Sequence, residues 1–106
     1  MGKRVEMNVI FNELAREELN DAIEYYELEL SGLGDRFEND IKRGIKRIFE
    51  YPQAWSVEKG EIRKYLLHKF PYKILYSIEP DYIYIVAIAH QHQRPNYWVN
   101  RFLQET

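Results

Sequence analysis

The chain has 106 residues, of which 45% are hydrophobic and 15% aromatic, and its formal charge of −2 at pH 7 argues against indiscriminate binding to nucleic acid. This length and composition predict one ordered globular domain over residues 1–106. Because the chain has no cysteine, no run of ~20 apolar residues and no apolar stretch in residues 1–6, we expect a cytoplasmic protein without disulfides, membrane-spanning helices or a signal peptide.

The first quarter of the chain predicts a strand and a helix. Val5–Phe11 is a short apolar run typical of a strand, and Asn12 is a favourable N-cap for the helix that follows. The apolar residues of that helix recur with the spacing of one helical face: Ala15, Leu19, Ala22, Tyr26 and Leu30. Ser31–Gly34 ends the helix, because glycine readily adopts the left-handed backbone found at helix ends.

A second helix follows this break. Its apolar residues are also spaced for one face: Phe37, Ile41, Ile45, Ile48 and Phe49. The helix ends by Tyr51, because Pro52 disfavours helical backbone in the residue before it. So short a break between two helices predicts an antiparallel helical hairpin.

The second half of the chain predicts a loop and three strands. Pro52–Gly60 is the loop, Ile62–Phe70 is a strand, and Glu79–Asp81 is the tight turn of a hairpin between two further strands. Alternation places two sets of residues on one face each: Tyr72, Ile74, Tyr76 and Ile78 before the turn, and Ile83, Ile85, Ala87 and Ala89 after it. The predicted order is β-α-α-β-β-β, an α+β fold with the two-helix antiparallel hairpin packed on one face of a small, mainly antiparallel sheet.

The predicted core lies between the helical hairpin and the sheet. Tyr76 and Ile85 are expected on paired neighbouring strands. Four strand residues are expected to face four helix residues: Ile74, Ile78, Ile83 and Ala87 against Leu19, Ala22, Ile41 and Ile45.

Charge is distributed unevenly over the two predicted helices. Between Glu13 and Glu29 there are seven acidic residues and one basic residue, Arg16, whereas the balance turns basic in the second helix. Four cations of the second helix, together with Trp98, are expected to bind a protein partner: Arg36, Arg43, Lys46 and Arg47. The alternative is that both charged faces are ordinary solvated helix surface.

Several short motifs occur in order along the chain. They are Tyr25-Tyr26-Glu27, Gly32-Leu33-Gly34 before Arg36-Phe37, Pro52, Ile62-Arg63, Phe70-Pro71-Tyr72, Ile74, Tyr76, Ala87-Ile88-Ala89-His90, Arg94, Pro95, Tyr97 and Trp98. This ordered set resembles the RelE/ParE superfamily of bacterial toxins, long labelled plasmid-stabilisation proteins, over roughly Met7–Trp98. The resemblance implies a toxin that a co-expressed antitoxin protein neutralises. Members act either as RelE-like, ribosome-dependent mRNA endonucleases or as ParE-like inhibitors of DNA gyrase.

The end of the last strand is rich in groups suited to RNA cleavage. Attack by a 2′-hydroxyl needs an acid and a base near the scissile phosphate, with cations for the developing charge. Arg63 and Arg94 are the candidate cations, and His90 is the candidate for proton transfer. Tyr97 or Trp98 could stack on an exposed base. The resemblance points to the same regions, because RelE-like members keep catalytic groups on central strands and in the C-terminal tail.

Each candidate also has a structural interpretation. Arg63 could pair with a carboxylate of the first helix, and Tyr97 and Trp98 could cap the core. His90 could be a packed histidine in the register of the strand before it, which carries Tyr82, Tyr84, Val86 and Ile88. No metal or cofactor is expected, because zinc needs three or four ligands and the chain has three histidines and no cysteine.

Three functions remain open from the sequence. Net charge narrowly favours a ParE-like inhibitor of DNA gyrase, whereas the residues after the last strand favour a RelE-like mRNA endonuclease. The third is an inactive member that only binds its antitoxin.

Overall fold

The computed structural model describes residues 8–103. Its elements are β1 Asn8–Phe11, α1 Glu13–Glu29, α2 Leu33–Glu50, β2 Val57–Lys59, β3 Ile62–Leu66, β4 Tyr72–Ile78, β5 Tyr82–His90 and α3 Val99–Leu103. The part of the predicted first strand at residues 5–7 lies outside the described residues. Within the described part of the chain, no helix is long and apolar enough to cross a membrane.

The five strands form one sheet in the order β1-β5-β4-β3-β2. The β2–β3, β3–β4 and β4–β5 pairs are antiparallel, and β1 is added in parallel at the edge beside β5. Tyr76 lies opposite Ile85, as the sequence predicts. The α+β fold with a mainly antiparallel sheet is therefore confirmed. One strand is additional: Val57–Lys59, predicted as loop, pairs with β3, and three residues are too few to show a periodic pattern.

The helical hairpin packs on one face of the sheet, as predicted. Thirteen buried residues from both helices and the central strands form one core: Ala15, Leu19, Ala22, Phe37, Ile41, Ile48, Tyr65, Leu67, Ile74, Tyr76, Ile83, Ile85 and Ile88. Asn12 caps α1, because its Oδ1 accepts hydrogen bonds from the backbone N–H groups of Leu14 (2.9 Å) and Ala15 (3.4 Å).

The carboxylate of Glu27 joins the two helices. Its oxygens accept hydrogen bonds from the N–H groups of Gly32 (3.0 Å) and Gly34 (3.1 Å), at the positive end of α2. Gly32 has φ of 90°, and a Cβ on Gly34 would lie 2.7 Å from the carbonyl oxygen of Ile23. Glycine is thus required at the two positions for different reasons. Gly32 allows the left-handed turn, and Gly34 allows the two helices to approach closely.

A β-bulge at Val86 interrupts the alternation of β5. Leu75 lies opposite Ala87, whereas Tyr76 lies opposite Ile85, so Val86 has no opposing residue. Ala87 consequently faces away from the helices, and the prediction that it shares a face with Ile83 and Ile85 is wrong; Ala89, opposite Lys73, also lies on the far face. Strict alternation fails here because the bulge lies in an unbroken apolar run, where both faces are buried.

The chain after β5 covers the face of the sheet opposite the helices. Trp98, with 3% of its surface exposed, packs there with the buried residues Ile62, Leu75, Tyr84, Val86 and Ala87. Tyr97 and Val99 pack against the same cluster. The sheet therefore lies between two apolar layers, one built by the helical hairpin and the other by the C-terminal segment.

Truncating the core should be costly. Ile41 is 1% exposed in the helix–sheet core, so Ile41→Ala should lower the free energy of unfolding by about 2–5 kcal/mol through lost burial and a residual cavity. Urea unfolding followed by circular dichroism measures this. Leu28→Ala is the control, because Leu28 is 80% exposed on α1 and should change the value by less than about 0.5 kcal/mol. Equal effects of the two changes would contradict this packing.

Candidate functional site

Arg63 is the second residue of β3 and lies opposite Tyr76. Its Nη1 donates hydrogen bonds to the backbone carbonyl oxygens of Trp55 (2.6 Å) and Gln53 (3.4 Å), in the loop after α2. The hydroxyl of Tyr76 donates to the carbonyl oxygen of Pro52 (2.6 Å) in the same loop. Burial raises the pKa of Tyr76 to about 12, with the Arg63 charge opposing the rise. Arg63 thus fastens this loop to the sheet, and its partners are carbonyls rather than a helix-one carboxylate.

His90 ends β5 and, because of the bulge, lies on the helix side of the sheet. It is opposite Tyr72, and the centroids of the two rings are 5.1 Å apart. The predicted shared register of His90 with Tyr84 and Val86 is therefore wrong, since those two residues belong to the opposite face. The Nδ1 of His90 accepts a hydrogen bond from the N–H of His92 (3.1 Å), which leaves the proton of the neutral ring on Nε2.

Arg94 and Tyr97 lie in the segment between β5 and α3 and differ in their surroundings. Arg94 is exposed. The hydroxyl of Tyr97 donates a hydrogen bond to Oε2 of Glu18 (2.8 Å) on α1. Burial, and then the charge and hydrogen bond of Glu18, raise the pKa of Tyr97 well above its ordinary value, although Arg101 opposes this. The hydroxyl proton of Tyr97 is thus already shared with the Glu18 carboxylate.

The four predicted nuclease residues do not meet at one point. Arg63 and His90 lie on strands that flank β4 on opposite sides, at the levels of Tyr76 and Tyr72 respectively. Four residues along β4 separate these levels by ~13 Å, and the two flanking strands are ~10 Å apart. The Cα atoms of the two residues are therefore ~16 Å apart, and the Arg63 guanidinium is bound to the loop carbonyls, so the two side chains do not converge on one position in this structure.

The structure brings together three residues at the edge of β5, past the point where its pairing with β1 ends: Glu18, Tyr97 and Arg101. Arg101 donates to Glu18 twice, from Nη2 to Oε2 (2.6 Å) and from Nη1 to Oε1 (3.0 Å), and its guanidinium lies 4.9 Å from the centroid of the Tyr97 ring. Arg101 also donates to the carbonyl of Val86 (3.1 Å), and Glu18 accepts from the N–H of Ile88 (2.9 Å).

This cluster has a clear structural cause. The pairing of β1 with β5 ends at Phe11 opposite Ile85, so β1 does not reach the backbone groups beyond the bulge. Glu18 and Arg101 satisfy those groups and fasten the C-terminal segment to α1. The sequence held a signal for Glu18, which lies three residues after buried Ala15 and four before buried Ala22. It held none for Arg101, which lies outside the family resemblance.

A second group of charges was also missed by sequence reasoning. Both carboxylate oxygens of Glu58 on β2 accept hydrogen bonds from Lys73 Nζ (3.2 Å each), and Lys64 Nζ lies 3.7 Å from Oε1. Lys64 lies opposite Leu75, on the face of the sheet away from the helices. A carboxylate with two adjacent cations is a chemically plausible place for proton transfer beside a phosphate. It is on the opposite face from Arg63 and His90.

The four cations predicted to bind a partner lie exposed along one side of α2: Arg36, Arg43, Lys46 and Arg47. Beside them is a cleft of about 450 Å³ lined by Leu33, Arg36, Asn39, Arg43, Lys69 and Phe70. Buried Asp40 holds two residues of the cleft wall in place, because its oxygens accept hydrogen bonds from Arg43 Nη2 (3.3 Å) and from the N–H of Lys69 (3.4 Å). Trp98, predicted as part of the same surface, is instead in the core on the opposite face of the sheet. Among the described residues, no group of three or more His, Asp or Glu side chains is placed to hold a metal ion.

Removing Arg101 should loosen the C-terminal segment. Arg101→Met keeps the apolar stem but leaves Glu18 and the Val86 carbonyl without their partner, so the free energy of unfolding should fall by ~1.5–3 kcal/mol. Chemical denaturation measures the loss, and limited proteolysis should show faster cleavage after Trp98. Arg94→Met is the control and should change stability by less than about 0.5 kcal/mol. A double-mutant cycle with Glu18→Gln should give a clear coupling energy; additivity would contradict the described contacts.

Known proteins with the same fold can be recognised from the sequence and from the structure. The family model described as the ParE toxin of the type II toxin–antitoxin system, parDE, matches residues 9–95. No curated protein sequence matches the chain. A structure of the chromosomal ParDE toxin–antitoxin system from P. aeruginosa aligns with a TM-score of 0.66 and 15% identity, covering 82% of this chain and 98% of that chain. A mutant E. coli toxin RelE in the free state aligns with a TM-score of 0.63 and 13% identity, covering 93% and 96%.

The two solved structures support the fold alone, because their identities are low. The family model covers most of the chain, from within β1 to the segment after β5. This chain is therefore a type II toxin–antitoxin toxin that belongs to the ParE toxin family, within the RelE/ParE superfamily.

Proposed function

We propose that this toxin acts in the cytoplasm by binding DNA gyrase and inhibiting it, rather than by cleaving mRNA. The observation that carries the proposal is the separation of the four nuclease candidates. Arg63 holds carbonyls of the loop after α2, and the Tyr97 hydroxyl is bound to Glu18. His90 lies on the other side of β4 from Arg63, and its ring packs against Tyr72. General acid–base catalysis requires its groups within hydrogen-bond reach of one reacting centre, whereas binding does not.

One observation favours ribosome-dependent mRNA cleavage as a second candidate. Glu58 lies between Lys64 and Lys73 on the face of the sheet away from the helices. Its carboxylate could accept a proton, and the two ammonium groups could stabilise charge on a phosphate. Against this role, the Lys73 ammonium is hydrogen-bonded to both oxygens of Glu58, which competes with RNA for the cation.

The two functions can be distinguished by the products found after the toxin is induced: gyrase–DNA adducts or cleaved mRNA. We expect growth arrest with covalent gyrase–DNA adducts and intact mRNA, and inhibition of supercoiling by purified gyrase when the toxin is added. Primer extension on a highly expressed mRNA measures cleavage in the same cells. His90→Ala and Glu58→Gln should leave mRNA as intact as it is with the unaltered toxin, because neither group has a catalytic role in this proposal.

Cleavage in phase with codons would contradict the gyrase proposal. If that cleavage fell by about a hundredfold or more in Glu58→Gln, the site would lie on the face away from the helices; the same loss in Arg94→Ala would place it after β5. Absence of both growth arrest and gyrase adducts would leave a protein that only binds its antitoxin.

We further propose that the cognate antitoxin docks on the basic side of α2. The exposed cations extend along α2 over a rise of eleven residues, or ~16 Å, and suit an acidic segment: Arg36, Arg43, Lys46 and Arg47. Leu33 and Phe70 supply apolar surface in the adjacent cleft, so an amphipathic segment with both acidic and apolar side chains fits best.

Reversal of charge on this side should weaken the complex. The double variant Arg36→Glu/Arg43→Glu should reduce affinity for the product of the adjacent antitoxin gene by at least about tenfold, because attraction becomes repulsion. Calorimetry or surface plasmon resonance measures the affinity. Lys42→Glu is the matched control, since Lys42 is on another side of α2, where it pairs with Glu38 (3.9 Å). Unchanged affinity in the double variant, or an equal loss in the control, would exclude this docking surface.

A further inference from the structure

A second cleft opens between α1 and the ends of β4 and β5. It has a volume of about 300 Å³ and is lined by Glu18, Asp21, Ala22, Tyr25, Tyr72, Ile88, His90 and Gln93. The bulge at Val86 is the reason that His90 and Ile88 contribute to it, because the bulge turns both residues to the helix side. Neither the gyrase proposal nor the antitoxin surface on α2 gives this cleft a role.

Aromatic rings supply much of its wall. Tyr72 and His90 meet edge to face, with ring centroids 5.1 Å apart and planes at 79°. Tyr25 lies on α1 with 57% of its surface exposed, so its ring is accessible to a ligand. The faces of tyrosine rings carry negative charge density and attract cations, guanidinium groups in particular.

The charged groups of the cleft are also suited to a cation. Asp21 is exposed at its edge, and α1 carries seven acidic residues against one basic residue between Glu13 and Glu29. Burial, and then the nearby Tyr25 hydroxyl and the Glu18 carboxylate, raise the pKa of Tyr72. The cleft would repel anionic ligands, whereas a cation would be attracted both by a carboxylate and by the faces of the tyrosine rings.

The molecule already binds one guanidinium in this way next to the cleft. Arg101 donates two hydrogen bonds to Glu18 and lies over the ring of Tyr97, with 4.9 Å between guanidinium carbon and ring centroid. Glu18 also lines the cleft. The cleft therefore repeats, for an external ligand, the combination of carboxylate and tyrosine that holds Arg101 internally.

We propose that this cleft binds the side chain of an arginine presented by a protein partner. The planar guanidinium stacks on the ring surfaces, its charge is met by Asp21, and the side-chain carbonyl of Gln93 can accept one of its N–H groups. Arginine fits better than lysine, because an ammonium is more strongly hydrated and does not stack. A buried arginine surrounded by aromatic groups is a common anchor of protein interfaces.

The test is a titration of the full-length, ¹⁵N-labelled protein with N-acetyl-arginine N-methylamide, followed by NMR chemical shifts. The citrulline analogue has nearly the same shape without charge, and the lysine analogue has charge without the planar group. We expect shift changes centred on the backbone amides of Asp21, Tyr25, His90 and Gln93. Binding of the citrulline analogue should be weaker by about tenfold, and that of the lysine analogue by at least about threefold.

Two exposed substitutions locate the site. Asp21→Asn and Tyr25→Ala should each weaken binding of the arginine analogue by about three- to tenfold. Their matched controls are Glu24→Gln, an acid on α1 that does not line the cleft, and Tyr51→Ala, an exposed tyrosine after α2. Neither control should alter affinity. Equal binding of the citrulline or lysine analogue, shift changes centred elsewhere, or unchanged affinity in both cleft variants would each overturn the proposal.

Discussion

In β5, Val86 is an extra residue between the partners of two consecutive β4 residues: Ile85 lies opposite Tyr76, and Ala87 lies opposite Leu75. This bulge determines on which face of the sheet each later residue of β5 lies. It turns Ala87 towards the face covered by Trp98, and it turns Ile88 and His90 towards α1. Without it, the imidazole would lie on the face that the C-terminal segment covers. The side of the sheet on which Ile88, the wall of the aromatic cleft and the predicted proton-transfer residue lie depends on this irregularity.

The end of the β1–β5 pairing leaves backbone groups of β5 that the C-terminal segment and α1 must satisfy. The pairing of β1 with β5 ends at Phe11 opposite Ile85, so backbone groups of β5 beyond Ile85 need other partners. Glu18 and Arg101 provide them while they neutralise each other, and the ring of Tyr97 lies under the guanidinium. The interaction links α1, β5 and the segment leading into α3. A carboxylate from the most acidic part of the chain is in this way used for structure rather than for solvation.

Charge is segregated over the rest of the surface. Two acidic residues of α1, Glu18 and Asp21, line the aromatic cleft, whereas Arg36 and Arg43 of α2 line a cleft with cationic walls. Two surfaces of opposite charge on one small helical hairpin suit recognition of protein partners better than recognition of a long polyanion, which the acidic helix would repel. The two proposed contact surfaces, one for the antitoxin and one for an arginine of a partner, therefore differ in charge and lie on different helices.

The sequence by itself determined the helical hairpin, the antiparallel strand pair and the core between them, because periodic apolar spacing, Asn12, the glycines of the break and Pro52 are local signals. It also placed the basic residues of α2 on one side. Only the tertiary structure showed where the candidate site residues lie and what they contact. The bulge lies in an apolar run buried on both faces, so alternation could not reveal that His90 changes sides. The sequence left Arg63, Tyr97 and Trp98 open between a functional and a structural role, and the structure shows the partners that hold each: loop carbonyls, Glu18 and the far face of the sheet. Such partners are set by strand register and chain path, and these follow from the packing of the whole chain rather than from any local segment.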